Sequence, residues 1–171
     1  MSDTSPTLPD ARPGSGSAPN ARIRAATAED APAVAAAVEA LLIELGGERP
    51  ATAELEEAAR AVAEGREAGA LLIAEADGEI VGVCATSWQH AIHVPGRYGT
   101  IQDLWVHPEW RSQALGRDLV EALVELAGRL GIGRLEVGLP QEGFAQLDAT
   151  ERFYLSNGFS PLGPRMRRLL R

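Results

Sequence analysis

"LWVHPEWRSQALGRDLVEALVELA", residues 104–127, decides the fold of this chain. It opens apolar, as the end of a strand, and crosses a polar turn. It closes with Leu119, Val120, Leu123 and Ala127 at helical spacing. A second strand pattern, "RLEVGL" at 134–139, follows the helix. A strand, a crossover helix and a strand in that order require a parallel pair. The turn holds Arg111, Ser112, Gln113, Ala114, Leu115, Gly116 and Arg117, and no acid stands between 110 and 117. A helix start carries unpaired N–H groups and a partial positive charge, which suits a phosphate. With two arginines beside it and a donor hydroxyl on Ser112, a diphosphate fits the turn. The plain alternative is an ordinary loop.

The rest of the chain reads outward from this unit. "RIRAAT" (22–27) is a first strand, and Thr27 caps a helix with Asp30 three residues on. Val34, Val38, Leu41, Leu42 and Leu45 mark one side of that helix, which Gly46 and Gly47 stop. A second helix runs from near Thr52 to about Gly65. "ALLIAEA" and "EIVGVCATSWQ" are two strands joined by an Asp77-Gly78 hairpin signal. "HAIHVPGRY" (90–98), with Pro95 and Gly96, reads as a loop. "GTIQDLWV" (99–106) is the central strand. "LDATERFYLSNG" (147–158) is a short helix, and the last residues, from Phe159 on, contain a final strand or hairpin. The order is β-α-α-β-β-β-α-β-α-β. The expected fold is α/β (α+β), a mixed central sheet with helices on both faces. Residues 1–20 read as a disordered tail rich in Pro, Ser and Gly, and 21–171 as a single domain.

Composition excludes several classes of function. Hydrophobic residues make up 45% of 171, too many for a wholly disordered chain. No apolar run approaches the ~20 residues of a membrane span. The net charge of -8 and the lack of a basic stripe argue against nucleic acid. An acidic surface suits a cationic small molecule, or simply confers solubility. One cysteine, Cys84, excludes an internal disulfide and a cysteine-based zinc cluster. His90 and His93 have no nearby carboxylates, so no metal site is expected. No basic, apolar leader opens the sequence, and a cytoplasmic location is expected. A phosphate loop of the GxxxxGK type is ruled out because all 16 basic residues are arginine. The GxGxxG dinucleotide fingerprint fails too, since only Gly116 is present in this turn.

"VHPEWRSQALGRDLVEAL" resembles the pyrophosphate-binding segment of the GNAT superfamily, the acyl-CoA-dependent N-acyltransferases. Their pattern of Arg or Gln, two residues, Gly, one residue, then Gly or Ala falls on residues 111–116. "IQDLWV" is similar to the family's fourth strand and "ERFYLSNGF" to its closing "FYxxxGF". The resemblance covers 21–171. It implies an N-acetyltransferase with acetyl-CoA as co-substrate and no metal. The implied partner is a small-molecule amine, with no nucleic acid or membrane, and homodimers are common in the family. It places pantetheine along Leu104, Trp105 and Val106 and the diphosphate on residues 111–117. Tyr154 matches the tyrosine that protonates the departing thiolate. Three residues depart from the pattern: Ala114 replaces the first glycine, Gln102 the glutamate of "EDL", and Leu147 an asparagine before the tyrosine.

Acyl transfer to an amine needs a base, an oxyanion donor and an acid for the thiolate, whose free thiol has a pKa of roughly 8.5. The base is the open position. Strand alternation sends Gln102 and Asp103 to opposite faces, so Asp103 does not simply replace a glutamate at 102. Deprotonation is expected through water positioned by Gln102, or in bulk. Asp103, His90 and His93 stand as alternatives. Trp88 and Gln89 could line an acceptor pocket, while core packing is the commoner fate of tryptophan. Glu54, Glu56 and Glu57 read as a solvated helix face that could attract a cation. "RMRRLLR" (165–171) reads as outward arginines on a last strand. Two other readings remain: a non-catalytic acyl-CoA-binding module, and an acyltransferase acting on protein amino groups.

Overall fold

The computed structural model describes residues 20–163, Met166 and Arg168. The tail expected at 1–20 lies outside these residues but for Asn20; of the last strand or hairpin expected from Phe159 on, residues 159–163 form none, and residues 164, 165, 167 and 169–171 lie outside. The elements are β1 (Arg22–Ala25), α1 (Ala31–Leu45), α2 (Thr52–Glu64), β2 (Gly69–Ala76) and β3 (Glu79–Ala91). They continue with β4 (Val94–Val106), α3 (Leu115–Arg129), β5 (Leu135–Val137) and α4 (Leu147–Ser156). One five-stranded sheet has the spatial order β1-β2-β3-β4-β5. The first three pairings are antiparallel, and β4 and β5 run parallel. This is the mixed sheet that the crossover at 104–139 required.

Each face of the sheet has its own core. Val83, Ala85 and Trp105 pack under α1 and α2 with Val34, Ala37 and Ala63. Cys84, Trp88, Ile101 and Leu104 pack under α3 and α4 with Leu119, Leu123 and Tyr154. Glycines let the second layer approach. A Cβ on Gly82 would meet Leu119 at 2.9 Å, and one on Gly99 would meet the Trp88 ring at 2.6 Å. Trp88 therefore lies across β4 in the core beneath α3, and not in an acceptor pocket on the other face.

Local chemistry sets the element ends. Asp77 and Gly78 both have positive φ, 50° and 82°, the geometry of a tight hairpin that follows the sheet twist. α1 ends at Gly46 in the left-handed conformation. Glu54 accepts a hydrogen bond from the Ala51 N–H at 2.8 Å and so caps α2, a structural use for one of the three early glutamates. The stretch 90–98 is not a loop. β3 and β4 continue through it as a hairpin turning at Ile92 and His93. Ala91 pairs with Val94 and His90 with Arg97, so Pro95 and Gly96 occupy a bulge. There, the missing N–H of proline and the φ of 79° at Gly96 disturb no ladder bond.

Arg24 ties the first turn to the sheet. It reaches Asp30 at 2.8 Å and Glu75 at 2.8 Å, and Asp30 also accepts from the Thr27 N–H at 2.7 Å. The Arg24 guanidinium holds the Asp30 carboxyl down to about 2. A carboxyl lowered in the folded state stabilises the fold above its unfolded pKa of roughly 3.9. That contribution is lost as pH falls through the folded value. Asp30→Asn should therefore lower stability at neutral pH by about 1–2 kcal/mol. The difference from wild type should shrink as pH falls from about 4 towards 2. Urea denaturation at a series of pH values measures it, and a gap independent of pH would assign Asp30 a purely steric role.

Candidate active site

The site forms where β4 and β5 part. They pair only from Gly99↔Leu135 to Ile101↔Val137. Beyond Ile101, β4 keeps its pairing with β3 as far as Val106, but its other edge has no strand beside it among the described residues. The change begins at a bulge. Thr86 pairs with Ile101 while Ala85 pairs with Asp103, so Gln102 is one extra residue in β4.

The bulge overturns the simple alternation of Gln102 and Asp103. Asp103 stands opposite Ala85, which packs under α1 and α2. The Gln102 amide donates to the Ser87 hydroxyl at 2.8 Å, two residues along β3 on that same face. Both side chains therefore occupy the α1/α2 face. Asp103 is half-buried and has no hydrogen bond or ion pair among the described residues. Desolvation raises its pKa, so it binds a proton more readily than an ordinary aspartate.

The bulge also selects which backbone groups face the open edge. The His107 N–H bonds to the Val81 carbonyl on the β3 side. Arg111 Nε reaches the Val106 carbonyl at 2.9 Å. Alternation then directs the polar backbone groups of Trp105 to β3, and those of Leu104 and Val106 to the open edge. Leu104 and Val106 can thus pair with an extended amide-bearing ligand, and Trp105 cannot.

The turn behind this edge presents N–H groups together. Gln113, Ala114, Leu115 and Gly116 donate to no backbone carbonyl among the described residues, and the first helical bond of α3 is from the Asp118 N–H to Ala114 at 2.9 Å. Ser112 and Ala114 hold φ values of 64° and 65°. This left-handed region costs a residue with a Cβ ~1–2 kcal/mol. Ala114, the residue that replaces a glycine of the pattern, thus stands where glycine is the unstrained choice. The Arg111 side chain turns away from the turn, to Val106 and to Glu44 of α1 at 2.6 Å. Arg117 pairs with Asp118 at 3.4 Å. The Gln113 amide closes on the Glu109 carbonyl at 2.8 Å. Backbone N–H groups, rather than the two guanidiniums, are what the turn presents. Gly116 has a packing reason as well: a Cβ there would meet the Phe153 ring at 3.3 Å. A bulky residue at 116 would disturb the fold along with any ligand.

Tyr154 comes from the opposite face. Its ring lies in the α3/α4 core, edge-on to Phe153 at 5.1 Å and to Phe159 at 5.3 Å. The same ring lines a cleft bounded by β5, α4 and the end of α3, so it also borders open space. Burial, with the Cys84 thiol nearby, raises the phenol's pKa and keeps it protonated. Cys84 itself is pushed up to about 12 by burial and is not a nucleophile at neutral pH. His90 and His93 sit at the hairpin end, away from the bulge. The described residues hold no cluster of three or more His, Cys, Asp or Glu that could bind a metal, and no helix long and apolar enough to cross a membrane. Sequence reading missed Ser87, Tyr98 and Thr100, which share the Gln102 face. Their signal was the polar alternation Ser87, Gln89 in β3 and Tyr98, Thr100 in β4.

The site is thus a mixed sheet splayed at a bulged central strand, with an open helix start behind the splay. Residues 35–159 match the acetyltransferase (GNAT) family, and the chain belongs to it. An uncharacterized N-acetyltransferase of Archaeoglobus fulgidus is 38% identical over 64 residues. That match covers 36% of this chain and 43% of the relative, so less than half of the curated relative's length is spanned. Among solved structures, a possible acetyltransferase from Clostridium difficile 630 superposes with a TM-score of 0.74 at 16% identity, covering 88% of this chain and 97% of its own. A protein of Arthrobacter sp. FB24, provisionally described as an acetyltransferase, gives 0.72 at 27% identity, covering 86% and 95%.

The strain at Ala114 can be measured. Ala114→Gly should stabilise the protein by about 1 kcal/mol, because glycine adopts positive φ without the Cβ clash. A thermal or urea midpoint that falls in Ala114→Gly would show that Ala114 is not strained.

Proposed function

We propose that this chain is an N-acetyltransferase that moves an acetyl group from acetyl-CoA to the primary amine of a small molecule. The observation that carries this reading is the open edge of β4, with an unpaired carboxylate, Asp103, on one face of the sheet and a protonated phenol, Tyr154, on the other. Acetyl-CoA supplies an activated thioester. Leu104 and Val106 offer it backbone pairing, and the N–H groups of 113–116 suit its diphosphate. A free N–H on the β4 edge serves as oxyanion donor.

The residues then divide the chemistry by face. Asp103 takes the proton of the incoming ammonium, since its raised pKa suits a base better than an ordinary carboxylate does. The amine nitrogen bonds to the carbonyl carbon, and the carbon–sulfur bond breaks. Tyr154 gives its proton to the sulfur; the nitrogen sheds its second proton to solvent as the adduct collapses and the phenolate regains one from solvent, leaving an amide, a free thiol and the phenol restored. Gln102 accepts no proton; its amide is already tied to Ser87. With both side chains on one face, the carboxylate at 103 is favoured as the base over water held at 102.

The test is a pH–rate profile with saturating acetyl-CoA and a panel of amines, following thiol release. Wild type should rise with pH and level off once Asp103 has ionised. Asp103→Asn should lose that plateau and about 10²-fold in rate. It should also be more stable than wild type at neutral pH, because a half-buried unpaired charge is gone. Tyr154→Phe should lose turnover about 10²-fold with little change in acetyl-CoA binding. CoA binding without thiol release from any amine would make the chain a binding module. Activity confined to peptides would shift the acceptor to protein amino groups.

A further inference from the structure

The sheet face that carries Asp103 changes character at that residue. On one side of it, Val83, Ala85 and Trp105 are buried by α1 and α2 and offer no free apolar surface. On the other side the same face is a connected polar ladder. Gln102 Nε2 donates to Ser87 Oγ at 2.8 Å, and Gln89 Nε2 donates to Ser87 Oγ at 2.9 Å and Thr100 Oγ1 at 3.2 Å. Tyr98 donates to Gln89 Oε1 at 2.9 Å. Gly69, across from Ser87 on β2, contributes no side chain to cover it. Gln102 is exposed, and Ser87, Gln89 and Tyr98 are half-buried.

The ladder is fixed by its own bonds and still has capacity left. Ser87 accepts two hydrogen bonds and keeps its proton to donate, while the Gln102 carbonyl oxygen has no partner among the described residues. Donors and acceptors thus alternate over a few ångströms. A hydroxyl, which both donates and accepts, satisfies such a row; a methyl group would strand it. Among the described residues of β3 and β4 no guanidinium lies on this strip: Arg97 alternates to the far face and donates to the Leu130 carbonyl at 3.4 Å. A carboxylate or phosphate on the acceptor would find no counter-charge among these strand residues.

We propose that the acceptor is a hydroxyl-bearing primary amine without an anionic group, and that Ser87, Gln89 and Tyr98 select it. The inference rests on the acetyltransferase reading above and names the substrate class of that site. Its amine lies over Asp103 and its hydroxyls run along the ladder away from the splay.

The experiment compares serinol with its diethyl analogue, in which each hydroxyl is replaced by a methyl group. Both are measured with acetyl-CoA on wild type, Gln89→Leu and Tyr98→Phe, with kcat/KM expressed per unprotonated amine. Wild type should favour serinol by about 10²-fold. Gln89→Leu should lose tenfold or more of that preference, with the diethyl amine and the KM for acetyl-CoA little changed. Tyr98→Phe, which keeps its ring, should shift the preference in the same direction should Gln89→Leu fold poorly. A wild type that acetylates the diethyl amine as well as serinol, or variants that slow both amines equally, would overturn the ladder's role while leaving the acetyltransferase reading intact. Thiol release with neither amine, nor with any other in a panel, would overturn both.

Discussion

One extra residue in β4 sets the geometry of everything around it. A regular strand at Gln102 would alternate its side chains through to Val106 and could keep its edge against β5. The bulge resets the alternation, so Gln102 and Asp103 share a face while Ile101 and Leu104 share the other. It also marks the point where β5 stops pairing. A slot between parallel strands is costly in an ordinary sheet, because it leaves backbone groups without partners. Here the groups left over, both of Leu104's and the Val106 N–H, are what the proposed thioester ligand would pair with.

The slot joins two environments that differ chemically. Above it, Tyr154 sits among Phe153, Phe159 and Cys84, an apolar setting that holds a phenol neutral. Below it, Asp103 stands at the border between an apolar core and a polar ladder, dry enough to raise its pKa and close enough to the ladder to meet a polar acceptor. The sheet itself keeps the phenol and the carboxylate apart. Arg111 links the layers: it holds the Val106 carbonyl and the Glu44 carboxylate of α1 and so fixes the turn against the first helix. With Arg111 so used, what the turn presents is its backbone N–H groups, beside Ser112 and Ala114 in strained left-handed geometry.

Much of this was legible in residue order. Helical spacing around Leu119 and Leu123, Asp77-Gly78 at a hairpin, and a strand pattern after Gly131 were enough for the mixed sheet. The turn at 111–117 announced itself by its lack of acids. What was hidden depended on register. No propensity marks Gln102 as a bulge, since the extra residue is defined only by what β3 places opposite it. The hairpin at 90–98 was concealed by Pro95 and Gly96, which usually break strands and here fill a bulge. Trp88 could line a pocket or, the commoner fate of tryptophan, pack in the core; Gly99 decides for the core by leaving a place for its ring across β4. The ladder through Ser87, Gln89, Tyr98 and Thr100 spans two strands, and sequence separation concealed it.

The central claim is that the β4 edge and the helix-start turn together hold the CoA. Backbone amide NMR during a CoA titration tests it directly. The largest saturable shifts should fall on the N–H groups of Leu104, Val106 and Gln113 to Gly116, with Trp105 moving less than either neighbour. Shifts centred on β1 and α2, or a Trp105 response equal to those of Leu104 and Val106, would contradict it.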